Sequence, residues 1–216
     1  MNTTDEIILE ALLGEIEAER DWRVADLIKV KLILRELDLR NDEKLDTFIR
    51  MTIPIIYAHW EGFIKISIKY VINYINNQNL NSNEVKTCIL TYANNITYDR
   101  LKGKHSFEQK CEFTELFLEK LNVKVTLSNK VDTKSNLKCE VLYTIFKTIG
   151  LEYTLGADDV VLINKLVDTR NSIAHGQNSI IVDKTQIDKY ISNMTRIFDD
   201  VIVELYKYVT DKKYLK

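Results

Sequence analysis

The scarcity of residues that break or bend a helix is the strongest constraint on the fold of this chain. Only six glycines and one proline occur among its 216 residues. Turn-rich β-sandwiches and disordered linkers need many more of both, whereas long helices need neither. With 45% hydrophobic residues, the chain also has ample material for a packed core. The sequence therefore predicts an all-α fold, a single-domain bundle of about six to seven helices over residues 1–216.

Apolar periodicity and capping residues predict where the helices begin and end. Apolar residues recur at helical spacing from Ile7 to Leu34, as one long helix or two end to end. Residues 1–40 are interpreted as an N-terminal helical extension and residues 41–211 as the core. The further predicted helices run from Asn41 to about Asn76, near 82–95, over 106–121, from Ser135 to Gly150, from near Ala157 to Gly176, and from Asp183 onward.

Residues 122–135 are predicted to form an exposed basic loop, with room for a short hairpin. The segment loses helical periodicity, alternates briefly like a strand and carries Lys124, Lys130 and Lys134. One interpretation is a solvated surface. The other is an RNA-binding track that these lysines share with Arg100, Lys102 and Lys104.

Charge and cysteine content limit the classes of function. The formal net charge is -2, so any nucleic-acid binding must use a local basic patch. The three cysteines match neither a disulfide framework nor a zinc pair, which favours a cytoplasmic protein. The N-terminus lacks the basic region of a signal peptide. The apolar stretch "MTIPIIYAHWEGFI" is too short for a membrane span and is predicted to be a buried helix.

The stretch "DTRNSIAHGQ" carries the candidate site. Arg170 occupies a position on the buried stripe of its helix, where a permanent charge is costly unless an anion or a cleft meets it. Asn171 and His175 are four residues apart and share a face, so the amide can orient the imidazole. Gly176 would end the helix and leave His175 in its last turn, where histidine can take and return a proton near neutral pH.

Two interpretations of this stretch remain open. Arg170 could pair with an acid while His175 caps the helix end, in a purely structural role. In the functional interpretation, Arg170 lies roughly 140° around the helix from His175, so the two do not easily converge within one chain. Pairing of two copies about a two-fold axis would place two arginines and two histidines around one cleft.

Three segments together resemble a known superfamily. "RNSIAHG" resembles the signature of the HEPN superfamily, with its arginine, polar residue, three spacers and histidine. "IPIIYAHWEGFIK" looks like the hallmark helix of the bacterial RiboL-PSP-HEPN branch, and "SNLKCEVLYTIFKTIGLE" resembles the helix that precedes the signature there. The segments occur in the order of the family and span about residues 45 to 200.

The resemblance implies an α-helical bundle that dimerises and cleaves RNA at the dimer interface, with no metal and no cofactor. Carried onto this chain, His175 would transfer protons, Arg170 would stabilise charge on the phosphorane oxygens, and Asn171 would position the imidazole or the phosphate. The partners implied are RNA, a second copy and an antitoxin or regulatory protein, as expected of a toxin or antiviral effector. The alternative is an inactive HEPN-like dimer that binds RNA, nucleotide or a partner protein.

The apolar stretch adds two supporting candidates. Tyr57 and Glu61 lie on one face of their helix, and Glu61 could pair with Arg170 or Arg50. His59 and Trp60 are interpreted as core residues with one satisfied hydrogen bond each. Pro54 should kink the helix unless a new helix starts there.

Overall fold

The fold consists of helices throughout the part of the chain that can be described. The computed structural model describes residues 3–99, 103, 105–177 and 182–216. Within these ranges the chain forms eight helices, and the only β pairing is an isolated bridge between Val85 and Leu215. The all-α prediction is confirmed. The helices are α1 (Thr3–Leu39), α2 (Leu45–Asn77), α3 (Thr87–Ala93), α4 (Asn95–Asp99), α5 (Phe107–Leu121), α6 (Cys139–Ile149), α7 (Ala157–Ala174) and α8 (Lys184–Thr210).

Helix α2 is the centre of the bundle. Helices α1, α7 and α8 all pack against it, and α6 packs against α7 and α3. Trp60, Phe63 and Ile64 are completely buried, so the apolar stretch is a core helix as predicted. None of the helices in the described ranges has the length and apolar character that a membrane span needs.

Helix α1 approaches α2 closely at one glycine. Helix α2 continues through Pro54, and no new helix starts there. A Cβ atom on Gly62 of α2 would lie only 3.1 Å from Nη2 of Arg23 on α1.

His59 and Trp60 each make one side-chain hydrogen bond. His59 Nε2 lies 3.1 Å from Asp26 Oδ2, and Trp60 Nε1 donates to the Leu137 carbonyl at 2.9 Å. Both aromatic residues are therefore core residues with a hydrogen bond, as expected.

The segment 122–135 forms the predicted loop, without the hairpin for which the sequence left room. All of its residues are described, and they form no hairpin. The segment is not wholly exposed either, because its alternate residues are buried against the bundle. The Asn76 side chain takes the place of a strand partner: it accepts from the Leu127 N–H at 2.7 Å and donates to the Leu127 carbonyl at 3.0 Å. The buried residues of the segment are Val125, Leu127, Val131 and Thr133.

Several helix starts are displaced from their predicted caps. Asn41 has a left-handed backbone (φ 49°), and α2 begins only at Leu45. Ser135 is also left-handed (φ 48°), so α6 begins at Cys139. The predicted helix near 82–95 is divided into α3 and α4, and it starts late because Val85 pairs with Leu215.

Other helix boundaries agree with the sequence. Ser106 and Gln109 form a capping box, and the Asp183 side chain accepts from the Gln186 N–H at 2.7 Å. Gly150 ends α6 in the left-handed conformation (φ 74°). The side chain of Thr3, the predicted first cap, lies outside the part that is described.

Candidate active site

His175 lies at the exposed C-terminal end of α7. Its N–H donates to the Asn171 carbonyl, the Gly176 N–H to Ile173 and the Gln177 N–H to Ser172, each at 3.0 Å. With Gly176 at φ 74°, this is a Schellman motif, which fixes the backbone that carries the imidazole. Arg50 of α2 adds a further tie by donating from Nη2 to the Gln177 carbonyl at 3.0 Å. The ring of His175 makes no hydrogen bond to any residue that is described.

Arg170 is held between a ring and a carbonyl. Its Cζ atom lies 3.7 Å from the centre of the Tyr57 ring, and Nη2 donates to the Ser135 carbonyl at 2.7 Å. The Nε atom is buried without a partner. Within the described ranges, Nη1 forms no hydrogen bond and no carboxylate pairs with this guanidinium. In the described ranges the guanidinium is therefore met by a ring and a carbonyl, and the alternative of an acid partner is not found.

Of the two supporting candidates, Tyr57 contacts Arg170, whereas Glu61 binds another residue. The Tyr57 hydroxyl accepts a hydrogen bond from the Leu137 N–H at 3.0 Å. Burial, and then the nearby charge of Glu61, raise the pKa of Tyr57, so the ring stays a neutral phenol. Glu61 accepts from the Thr133 hydroxyl at 2.6 Å instead of pairing with an arginine.

Residues 133–139, which we call the connector, join α2 to α7. Thr133 and Leu137 bind α2, through Glu61 and through Tyr57 and Trp60. On the other side, Ser135, Asn136 and Cys139 bind α7. The contacts to α7 are Arg170 to Ser135, the Asn171 amide to Asn136 Oδ1 at 2.9 Å, the Cys139 N–H to Asn164 Oδ1 at 3.0 Å, and an ion pair between Lys138 and Asp168 at 2.5 Å.

The connector contains the functional neighbours that sequence reasoning missed. Asn171 was expected to orient the imidazole of His175, but its amide donates to Asn136 instead. No local sequence signal marks this partner, because it lies 35 residues away along the chain. Arg170 donates to a backbone carbonyl. Because every residue type has a carbonyl, the residue type at position 135 could not identify this partner either.

The lysines of segment 122–135 line two adjoining cavities. Lys130 and Lys134 line one of about 750 Å³, and Lys124 lines the other, which shares Ala93 and Thr126 with the first. Lys124 also donates to Asn81 Oδ1 at 2.9 Å. The other residues of the hypothetical RNA track, Arg100, Lys102 and Lys104, lie outside the described residues.

The buried thiol of Cys139 is a weak acid. Burial raises the pKa of Cys139 to about 11, so this thiol is protonated at neutral pH. No group of three or more His, Cys, Asp or Glu side chains that could hold a metal ion occurs among the residues whose positions are described.

Comparison with known families identifies the family to which the chain belongs. A family model described as MAE_28990-like HEPN matches residues 12–214. The chain belongs to this HEPN family, and the predicted membership of the HEPN superfamily is confirmed. The matched family is not described as the RiboL-PSP-HEPN branch, and the match includes most of the segment interpreted as an N-terminal extension. No curated protein and no solved structure matched the chain.

Proposed function

We propose that this chain is a metal-independent endoribonuclease whose site forms where two copies pair at the C-terminal end of α7. The observation that carries the proposal is that α7 presents two of the candidate residues near one end. His175 is exposed, and its ring has no hydrogen bond to a described residue. Arg170, about one and a half turns earlier, is held by the Tyr57 ring and the Ser135 carbonyl. Family membership adds support, because HEPN domains are often ribonucleases.

The proposed reaction borrows its nucleophile from RNA. One imidazole takes the proton of a ribose 2′-hydroxyl, and the 2′-oxygen forms a bond to the adjacent phosphorus. The bond from phosphorus to the 5′-oxygen breaks, and a second imidazole, protonated, gives its proton to that oxygen. The products are a 2′,3′-cyclic phosphate and a 5′-hydroxyl. The free Nη1 of Arg170 would donate to the phosphorane oxygens as their charge develops.

Two copies supply what one copy lacks. The reaction uses a base and an acid together, and only one histidine lies at the end of α7. The connector binds Arg170 and Asn171, whereas the imidazole has no hydrogen bond to any described residue. His175 of the partner subunit would provide the second proton-transfer group across the two-fold axis.

A cleavage assay tests this proposal. The purified protein is incubated with total RNA in EDTA, and the product ends are analysed for 2′,3′-cyclic phosphate. We expect cleavage by the wild type and by the surface control Gln177→Ala, and a loss of about 10²-fold or more in His175→Ala and Arg170→Ala. Full activity in either variant would remove the mechanism, and solution mass would test the dimer.

Binding without cleavage is the second candidate function. Its support is that Arg170 and Asn171 both donate hydrogen bonds within their own chain, to Ser135 and Asn136, so these donor groups are already occupied. It predicts no cleavage of any RNA offered, together with RNA binding that survives His175→Ala.

A toxin or antiviral role would follow from ribonuclease activity in a cell, with a partner protein restraining it. Weak cleavage by a purified complex and strong cleavage by the isolated chain would support that arrangement. Equal cleavage by both would argue against a restraining partner.

A further inference from the structure

The outward face of α1 is apolar along most of its length. The inward stripe of this helix, from Leu9 to Leu34, is buried against α2 and α8. A helix that is apolar on two opposite faces normally has both of them covered. The second stripe, which we call the α1 seam, is exposed and consists of Ile7, Ala11, Gly14, Ala18, Ala25, Ile28, Leu32 and Leu39.

The spacing of the α1 seam is that of a coiled coil. Its members follow alternating steps of four and three residues. Two positions of this repeat carry charged residues instead, Asp21 and Arg35. This is the a and d pattern of two paired helices. The large members Ile7, Ile28 and Leu32 are 50–62% exposed, so one stripe of one helix presents three large apolar side chains to solvent. The seam is thus shaped to receive another helix.

Side-chain size along the seam selects an antiparallel partner. Apart from Ile7 and Ala25, the apolar seam residues are small in the first half, as at Gly14 and Ala18, and large in the second half, as at Ile28 and Leu32. Helices pack best when large residues on one face small residues on the other. A second copy of α1 in the opposite direction meets this condition, because its large half then lies along the small half.

Charge along the same helix selects the same arrangement. Acidic residues flank the seam in the first half, at Glu10, Glu15 and Glu17, whereas Lys29 and Lys31 flank it after the middle and Glu36 and Asp38 flank its far end. In a parallel pair, Glu10 would lie beside Glu15 of the partner subunit. In an antiparallel pair, Glu15 and Glu17 face Lys29 and Lys31 of the partner subunit, while Glu10 faces its Asp38, so the central part of the surface is complementary to itself.

We propose that a second copy of this chain docks antiparallel on the α1 seam, about a two-fold axis near residues 22–24. In this register Ala18 packs against Ile28 of the partner subunit, and Glu15 faces Lys29 of the partner subunit. Trp22, which is 50% exposed, lies near the axis. The pairing is separate from that at the end of α7 and does not rest on RNA cleavage. A chain with both surfaces would assemble beyond a dimer.

Distances between spin labels test the direction of the pair. Single labels are placed at Trp22→Cys or Glu36→Cys in a chain with Cys88→Ser and Cys111→Ser, because those two thiols are not buried. Antiparallel docking predicts a short distance at position 22 and roughly 40 Å at position 36, from 1.5 Å of rise per residue. Short distances at both positions would mean parallel pairing, and no short distance at position 22 would mean no pairing. Either result overturns the proposal.

A charge swap tests the register by sedimentation. Glu15→Lys or Lys29→Glu alone places like charges at two symmetric contacts and should weaken self-association about tenfold. The double variant restores opposite charges and should recover the wild-type association. Lys120→Glu on α5 is the matched control, since it reverses an exposed charge away from α1. Unchanged single variants, or a double variant as weak as the single ones, would overturn the register.

Discussion

The guanidinium carbon of Arg170 lies 3.7 Å from the centre of the Tyr57 ring. This contact places a permanent positive charge of α7 against a buried aromatic residue of α2. The Ser135 carbonyl then holds Nη2 from the side. A flexible side chain is thereby restricted to one position, and the entropic cost of ordering it is met during folding, before any ligand binds.

Tyr57→Leu should reduce RNA cleavage about tenfold relative to Tyr57→Phe. Both variants remove the hydroxyl that accepts from Leu137, and each should lose about 1–3 kcal/mol of folding free energy. Only leucine also removes the ring beneath Arg170, where a desolvated cation–π contact contributes about 1–2 kcal/mol. Cleavage rates normalised to folded protein give the comparison, and equal rates would show that the ring does not position the guanidinium.

Thr133→Val should destabilise the fold by about 1.5–3 kcal/mol, because it leaves the Glu61 carboxylate without its hydroxyl donor. Valine preserves the shape of this buried side chain, so lost packing contributes little. Urea unfolding at neutral pH measures the change. Thr154→Val, at an exposed position, is the control and should stay within about 0.5 kcal/mol of the wild type.

His59 should make the fold sensitive to acid. Burial lowers its pKa below the ordinary value of 6.5, against the opposing influence of Asp26. The unfolded chain therefore binds this proton more readily, so stability is complete above about pH 6.5 and declines as the pH falls below it. His59→Gln should flatten this decline in unfolding curves between pH 7 and 5. Gln177→Ala, at an exposed position without a titratable group, should keep the slope, and a wild-type slope in His59→Gln would contradict the assignment.

Two glycine-to-alanine changes should have opposite signs. At Gly150 the left-handed backbone (φ 74°) and a Cβ position 2.9 Å from the Cys88 sulfur predict a loss of about 1–3 kcal/mol. At Gly14, inside α1 with no neighbouring atom within 4 Å, alanine should gain up to about 1 kcal/mol through helix propensity. Thermal unfolding at low protein concentration measures both, and a loss at Gly14 would mean that its open face is covered.

Sequence reasoning succeeded where the controlling signals are local. The rarity of glycine and proline indicated helices, and Gly176 located the end of α7 and hence the exposed His175. It failed at the connector, because Ser135 resembles a helix cap by residue type but adopts a left-handed backbone. Only tertiary contacts explain that choice, since this conformation directs the Ser135 carbonyl to Arg170.

The close approach at residue 62 also determines where α1 can tilt relative to α2. Arg23 crosses α2 at Gly62, where even a methyl group would meet Nη2 at 3.1 Å. Helix α1 has 37 residues and is therefore about 55 Å long, with this crossing near its middle. It acts as a lever, so a tilt of about 5° at the crossing would displace each end by roughly 2 Å. Any tilt that a larger side chain at residue 62 imposed on this crossing would therefore displace both ends of α1 together.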